Sequence, residues 1–273
     1  MTVINTNIGA TIARNAITTN ERSMANSMER LSTGLRINSA GDDAAGHAIS
    51  SRMAADIAGL DMGVRNANDA ISMIQVMDGA TKEITDMLVR MKELATQAAS
   101  GTYSDSDRAN LDLEYQGLEA EITRIQEKTT WNGMALIDNV SGGAGAKAIQ
   151  LGSSAVSFTF VDWGISGVLS DLGTHDLTDQ TKAGLALTGV GNAITDATAE
   201  QAKFGAWMNS LAHAADNLLN VSANTDQSRS RIQDADYAVE TTNLARTQII
   251  AQASTAMLAQ ANNMKQTVLA LLD

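Results

Sequence analysis

The chain has no cysteine and no proline in 273 residues, and aromatic residues make up only 3% of it. Without cysteine there can be no disulfides, no thiolate metal sites and no thiol nucleophile. Without proline the strongest helix breaker is missing, since an interior proline costs about 3 kcal/mol. So few aromatics cannot fill an ordinary large globular interior. A core of Ala, Leu, Ile and Met suits thin helical bundles instead, where small side chains let helices approach closely. Basic residues are also scarce: 19 against 31 acidic ones, a net charge of −12. That balance argues against a nucleic-acid backbone as partner. No run of about 18 apolar residues is present to span a bilayer, so no membrane insertion is expected. The N-terminal MTVINTNIGATIARNAITTN has neither a charged leading region nor a continuous apolar stretch, so no cleaved signal peptide is expected.

What the chain has is apolar periodicity, most of all at its two ends. Ile250, Met257, Met264 and Leu271 recur every seven residues, and Ser254, Ala261 and Val268 complete an a/d pattern. At the other end Met24, Met28, Leu31 and Leu35 form a stripe after a looser start at Ile4, Ile8 and Ile12. A lone amphipathic helix with its stripe in water is marginal, because each exposed Leu or Ile forgoes roughly 1.5–3 kcal/mol of burial. The two ends therefore need partners, and the simplest are each other and copies from other chains.

Between them, Gly41 breaks the first pattern, and Ser39, Asp42 and Asp43 supply caps. A helix is expected from about residue 44 to 99. Its stripe runs Ile57, Leu60, Val64, Ala67, Ile71 and Ile74, slips near Asp78, and resumes at Ile84, Leu88, Met91, Ala95 and Ala98. At 1.5 Å per residue such a helix is on the order of 80 Å long, which implies a rod. Ser104, Asp105, Ser106 and Asp107 cap the next helix, striped by Leu111, Tyr115, Leu118, Ile122 and Ile125. Another is expected over about 190–222, through Val190, Ile194, Ala197, Phe204, Met208, Leu211, Ala215 and Leu218. Three seams of matching period predict an antiparallel bundle. Trp131, Asn132 and Gly133 read as a turn, and Ile149, Leu151, Val156, Phe158 and Phe160 alternate around Gly152 and Ser153 as a β-hairpin. The rest to about Gly189 reads as loop with a helical turn or two at most. The fold class is mostly α, a long antiparallel helical rod or coiled coil with a small β-hairpin region.

Two long runs carry a resemblance: LSTGLRINSAGDDAAGHAISSRM from Leu31 to Met53, and SRIQDADYAVETTNLARTQIIAQASTAMLAQANNMKQTVLALLD from Ser230 to Asp273. Both resemble the terminal signatures of bacterial flagellin. The likeness extends over about 1–137 and 190–273, and the short middle resembles a flagellin almost without outer domains. It implies an inner coiled-coil domain from 1–40 and 236–273. It also implies a helical rod from 41–189 and 190–235, including a small β and loop insert at about 138–189. The implied function is a structural subunit that polymerises with its own copies into the flagellar filament used for swimming. Burial of the terminal stripes between copies, weighed against the cost of ordering them, predicts termini disordered in the monomer and ordered in the polymer. Hook-junction and filament-cap proteins are implied partners, as is an export chaperone on the C-terminal segment, with an extracellular location reached without a cleaved signal.

The resemblance also bears on single residues. Met24, Met28, Leu31, Leu35, Ile250, Met257, Met264, Val268 and Leu271 are the expected assembly residues of the terminal coiled coil. Arg90, Leu94 and Gln97 share a helix face and read as a partly exposed stripe for subunit contact. In the family these types, with a Glu matching Glu114, form the surface read by the innate-immune Toll-like flagellin receptor. Leu269, Leu271 and Leu272 resemble the terminal leucines read by cytosolic flagellin sensors. Gln252, Gln260, Asn262, Asn263 and Gln266 suit a hydrated, nearly uncharged channel wall.

Chemistry is not expected. His47, His175 and His213 stand alone, without metal-ligand spacing. Asp42 and Asp43 sit in a capped turn, and Gly-rich 141–145 lacks the Lys-Ser/Thr of a phosphate loop. No cofactor and no catalytic residue follow. Two other readings share some features: a hook-filament junction adaptor, and a surface adhesin using Ile149–Phe160 and Trp163.

Overall fold

A computed structural model describes residues 6–137, 146–152, 154–159 and 176–269. These form five helices and two antiparallel strand pairs: α1 (Ile8–Thr33), α2 (Ala44–Ala98), α3 (Asp105–Lys128), β1 (Thr130–Trp131), β2 (Met134–Ala135), β3 (Ala146–Leu151), β4 (Ser154–Thr159), α4 (Gln180–Gln233) and α5 (Tyr237–Leu269). The chain divides into two compact units, one of residues 1–57 with 223–273 and one of residues 58–222.

Helix ends follow local chemistry. The Asn7 side chain accepts from the Ala10 amide, and Gly34 ends α1 in the left-handed region at φ 73°. Asp43 accepts from the Ala45 and Gly46 amides at the start of α2. Its neighbour Asp42 takes the Asn38 and Ser39 amides and the Ser39 hydroxyl. Those bonds, the Ser39 amide foremost, hold the Asp42 carboxyl below its usual value. Ser104 and Asp107 form a reciprocal capping box on α3. The buried Arg108 guanidinium closes the far end of α2 by donating to the Ala98 and Ser100 carbonyls at 2.9 and 3.0 Å.

In the unit of residues 58–222, α2, α3 and α4 bury one continuous core that includes Ile74, Leu88, Met91, Tyr115, Ile122, Phe204 and Leu211. The buried row of α2 is Ala67, Ala70, Ile74, Met77, Thr81, Ile84, Leu88, Met91, Ala95 and Ala98. Its four-three spacing never slips, because Met77 and Thr81 fill the seam where the sequence reading placed a slip at Asp78. Helix α4 begins ten residues earlier than expected. Ala183, Ala186 and Val190 are buried there, so the stretch read as loop extends the seam with small residues.

Asn132 (φ 50°) and Gly133 (φ 77°) both adopt left-handed backbone, the geometry of a tight two-residue hairpin turn. The second hairpin has the expected register about Gly152, with Ile149 opposite Val156 and Leu151 opposite Ser154. Its tip lies on α2. A Cβ at Gly63 would stand 2.6 Å from the Gly152 nitrogen, and the Asn66 amide donates to the Gln150 carbonyl at 2.9 Å. Only glycine admits that approach. Phe160, Trp163, His175 and residues 141–145 lie outside the described residues.

Candidate functional site

Helices α1 and α5 run antiparallel, and four contacts step along them in opposite directions without a slip. Asn7 donates to the Ala261 carbonyl at 3.4 Å. The Asn20 amide donates to the Thr247 carbonyl at 2.7 Å. The Ser27 hydroxyl donates to Glu240 Oε2 at 3.0 Å. A short β-bridge joins Leu35 to Asp234 past the helix ends.

The facing rows are set by these contacts and by burial. On α1 they are Ala10, Ala13, Ile17, Asn20, Met24, Ser27 and Leu31; on α5 they are Glu240, Leu244, Thr247, Ala251, Ser254, Leu258 and Ala261. Both rows alternate four and three, a coiled-coil seam filled largely by small and polar residues. Glu240 is almost wholly buried and also takes the Arg30 guanidinium at 3.1 Å. Burial pushes its carboxyl up, but the bonds from Arg30 and Ser27 outweigh this and hold it below its ordinary value. An open polar groove runs beside this pair, lined by Asn20, Asn26, Arg30, Asn243 and Arg246.

Of the expected assembly residues, Met24, Leu31 and Leu35 are half-buried, the first two in the seam. Met28, Ile250 and Met257 point away from it and are exposed. The α5 seam therefore passes through Ser254 and Ala261, as expected, but is completed by Thr247, Ala251 and Leu258 instead of by Ile250 and Met257. Helix α5 contains Met264 and Val268 and ends at Leu269; the side chains of all three, and Leu271 and Leu272 entirely, lie outside the described residues. The outward faces carry Ile8, Ile12 and Met28 on α1 and Val239, Ile249 and Met257 on α5, each more than half exposed. The sequence reading missed Asn20, Ser27, Glu240 and Thr247. Their signal is a second heptad rhythm: Asn20 and Ser27 stand seven apart, as do Glu240, Thr247, Ser254 and Ala261.

On the other unit, Arg90 and Glu114 come together. The Arg90 Nε and Nη2 donate to Glu114 Oε1 at 2.9 and 2.8 Å, and Nη1 reaches Glu93 at 3.0 Å. Gln97 is exposed beside them. Leu94 corrects the sequence reading: it is 1% exposed and belongs to the core, not to an exposed stripe. Spacing of i and i+4 put it beside Arg90, but the buried seam is wide enough to take it in. His47 is half-buried and His213 exposed. Among the described residues no cluster of His, Asp or Glu could hold a metal, and no helix is long and apolar enough to cross a membrane.

Comparison with known proteins agrees with this arrangement. The bacterial flagellin N-terminal helical region matches residues 4–141, and the bacterial flagellin C-terminal helical region matches residues 187–272. A flagellin of Halalkalibacterium halodurans is 40% identical over 99% of both chains. The flagellar filament 33 kDa core protein of Treponema phagedenis is 35% identical, again over 99% of both. The crystal structure of Bacillus cereus flagellin covers 56% of this chain and 88% of its own, at 34% identity and a TM-score of 0.51. With both terminal regions matched and full-length relatives at this identity, the chain belongs to the bacterial flagellin family.

Proposed function

We propose that this chain is the structural subunit of a bacterial flagellar filament, built by polymerisation of identical copies through the α1–α5 pair. One observation carries the reading: nine of the fourteen residues in the α1–α5 seam are small or polar, while six large apolar side chains stand more than half exposed on the outward faces. A pair that holds Ser27, Asn20 and Thr247 inside and shows Ile12, Ile249 and Met257 to water leaves an apolar surface for other molecules. Contacts of that kind, repeated between different faces of identical subunits, give an open helical polymer.

Charge supports the same reading. Residues 58–222 hold 21 acidic and 10 basic side chains, a net −11, whereas the unit containing both termini holds 10 and 9, a net −1. Near-neutral terminal helices can pack against copies without mutual repulsion. We assign residues 1–40 with 236–273 to the inner layer and 41–235 to the rod outside it. An extracellular filament, contacts with hook-junction and cap proteins, and a chaperone on the C-terminal segment before export belong to the same proposal. So does recognition of the free subunit by a Toll-like receptor at Arg90, Gln97 and Glu114. Leu94 then contributes by holding the helix and not by contact. The junction-adaptor reading is not favoured, because the 40% identity to a flagellin runs the full length of both chains.

Electron microscopy of the purified chain under polymerising conditions, beside a version ending at Gln233, tests the proposal. Long filaments from the intact chain alone are expected. An intact chain that stays monomeric when seeded with filament fragments overturns it.

A further inference from the structure

The chain has 13 methionines and no cysteine, so thioethers are its only sulfur. Their exposure divides them by place in the fold. Met73, Met77 and Met91 are buried in the core that α2, α3 and α4 share. Met62 and Met134 are just under half exposed on the same unit. The two most exposed methionines among the described residues lie instead on the terminal pair, Met28 of α1 at 55% and Met257 of α5 at 66%. Both stand within apolar surface. Met257 is seven residues from Ile250 and shares its face of α5, and Ile250 is exposed as well. Met28 lies one turn from the half-buried Met24 and Leu31, at the outer edge of the apolar row of α1.

We propose that Met28 and Met257 are an oxidation site of the free subunit, where a peroxide converts each thioether to a sulfoxide and blocks polymerisation until the sulfoxide is reduced. The proposal rests on the filament reading. A sulfur lone pair attacks one oxygen of hydrogen peroxide, the O–O bond breaks, that oxygen stays on sulfur, and the other leaves with both protons as water. Sulfur loses two electrons and the peroxide gains two. A dithiol reverses the step: the oxygen leaves as water and the dithiol closes to a disulfide. Access decides which sulfurs react first, since those of Met73, Met77 and Met91 are enclosed by close-packed side chains and those of Met28 and Met257 meet water. The product matters because of where it stands. A flexible apolar side chain becomes a polar one. In the free chain water satisfies the new oxygen, but under the apolar face of another copy it loses that water and gains no donor. Neither residue belongs to the α1–α5 seam, so the helix pair itself is kept. Once covered by a neighbouring copy, both sulfurs are shielded, and the filament resists an oxidant that disables the free subunit.

The test adds hydrogen peroxide to the full chain, free and polymerised, and times the sulfoxide at each methionine by peptide mass spectrometry. In the free chain Met28 and Met257 are expected to react roughly tenfold or more faster than Met73, Met77 and Met91, and in filaments to slow by a similar factor. Free chain oxidised only at its fast methionines should need roughly tenfold more protein to polymerise, and methionine sulfoxide reductases with a dithiol should restore the starting concentration. Variants are each compared with themselves before and after peroxide: Met28→Leu, Met257→Leu should show no rise, and Met62→Leu, Met134→Leu the full one. Equal rates at surface and core, undiminished oxidation in filaments, or a rise that persists in Met28→Leu, Met257→Leu overturns the proposal. An unoxidised parent that stays monomeric fails the filament reading and this proposal with it, whereas a parent that polymerises equally well after oxidation fails the proposal alone.

Discussion

Ser27 and Glu240 meet across the two ends of the chain, 213 positions apart in sequence, with the hydroxyl donating to Oε2 at 3.0 Å. The carboxylate's other oxygen takes Arg30, so one acidic side chain on α5 is held at two points on α1. Asn20 repeats the device two turns away with the Thr247 carbonyl. Polar bonds like these add little net stability each, about 0.5–1.5 kcal/mol, but they penalise every other alignment.

Glu240 gives the helix pair a pH dependence. Its carboxyl titrates below the ordinary 4.5, so in the folded state it binds its proton less readily than in the unfolded chain. The stability it contributes is whole above that ordinary value and is lost as pH falls through the lower folded one. Protection of the α5 amides, with exchange rates corrected for their intrinsic slowing in acid, is expected to fall below about pH 4.5 in the parent. In Glu240→Gln it should be weaker at neutral pH and flatter with acid; an unchanged acid response in that variant contradicts the assignment.

Gly63→Ala should unseat the second hairpin. The new Cβ would sit 2.6 Å from the Gly152 nitrogen and 3.2 Å from the Leu151 carbonyl carbon, both backbone atoms that cannot step aside as a side chain would. A loss of about 1–3 kcal/mol is expected, with limited proteolysis moving to residues 146–159. Gly59→Ala, where a Cβ meets nothing within 4 Å, should leave the hairpin seated and raise stability by about 0.5–1 kcal/mol, the ordinary gain of alanine over glycine within a helix.

Leu94 and Arg90 lie one turn apart and should behave oppositely. Leu94→Ala opens a cavity in the core and costs about 2–5 kcal/mol. Arg90→Ala removes an exposed ion pair worth about 0.2–1 kcal/mol, so its stability should barely change. A receptor-binding loss in Leu94→Ala therefore counts only if circular dichroism shows the fold intact, whereas Arg90→Ala and Glu114→Ala test recognition directly.

Much of this fold was legible because helix signals are local. Asp43 and Ser104 mark helix starts by chemistry that any reader of the chain can see, and α2 ends within a residue of expectation, whereas α1 ends at Gly34, seven residues before the Gly41 that the sequence reading took as its break. The terminal seam was harder. Reading for large apolar residues selects Ile250 and Met257, but those point outward, and the row that joins the helices runs through Glu240, Leu244, Thr247, Ala251, Ser254, Leu258 and Ala261. Several of the large apolar residues at the two ends serve the outward faces, and a search for the largest side chains mixes them with the seam. Thr81 escaped for a similar reason: a hydroxyl at a core position reads as a break in the stripe until its burial is known. The early start of α4 escaped because Gly, Thr and Ala resemble a loop when no large residue marks the buried side.

The account rests on outward apolar rows that other copies cover. The most direct measurement is the critical concentration for polymerisation of an Ile12→Asn, Ile249→Asn, Met257→Asn variant, with helicity and melting followed beside the parent. These side chains are 64–66% exposed in the single chain, so the monomer's fold should hold while polymerisation is lost or needs at least tenfold more protein. Filaments forming at the parent's concentration would contradict the account.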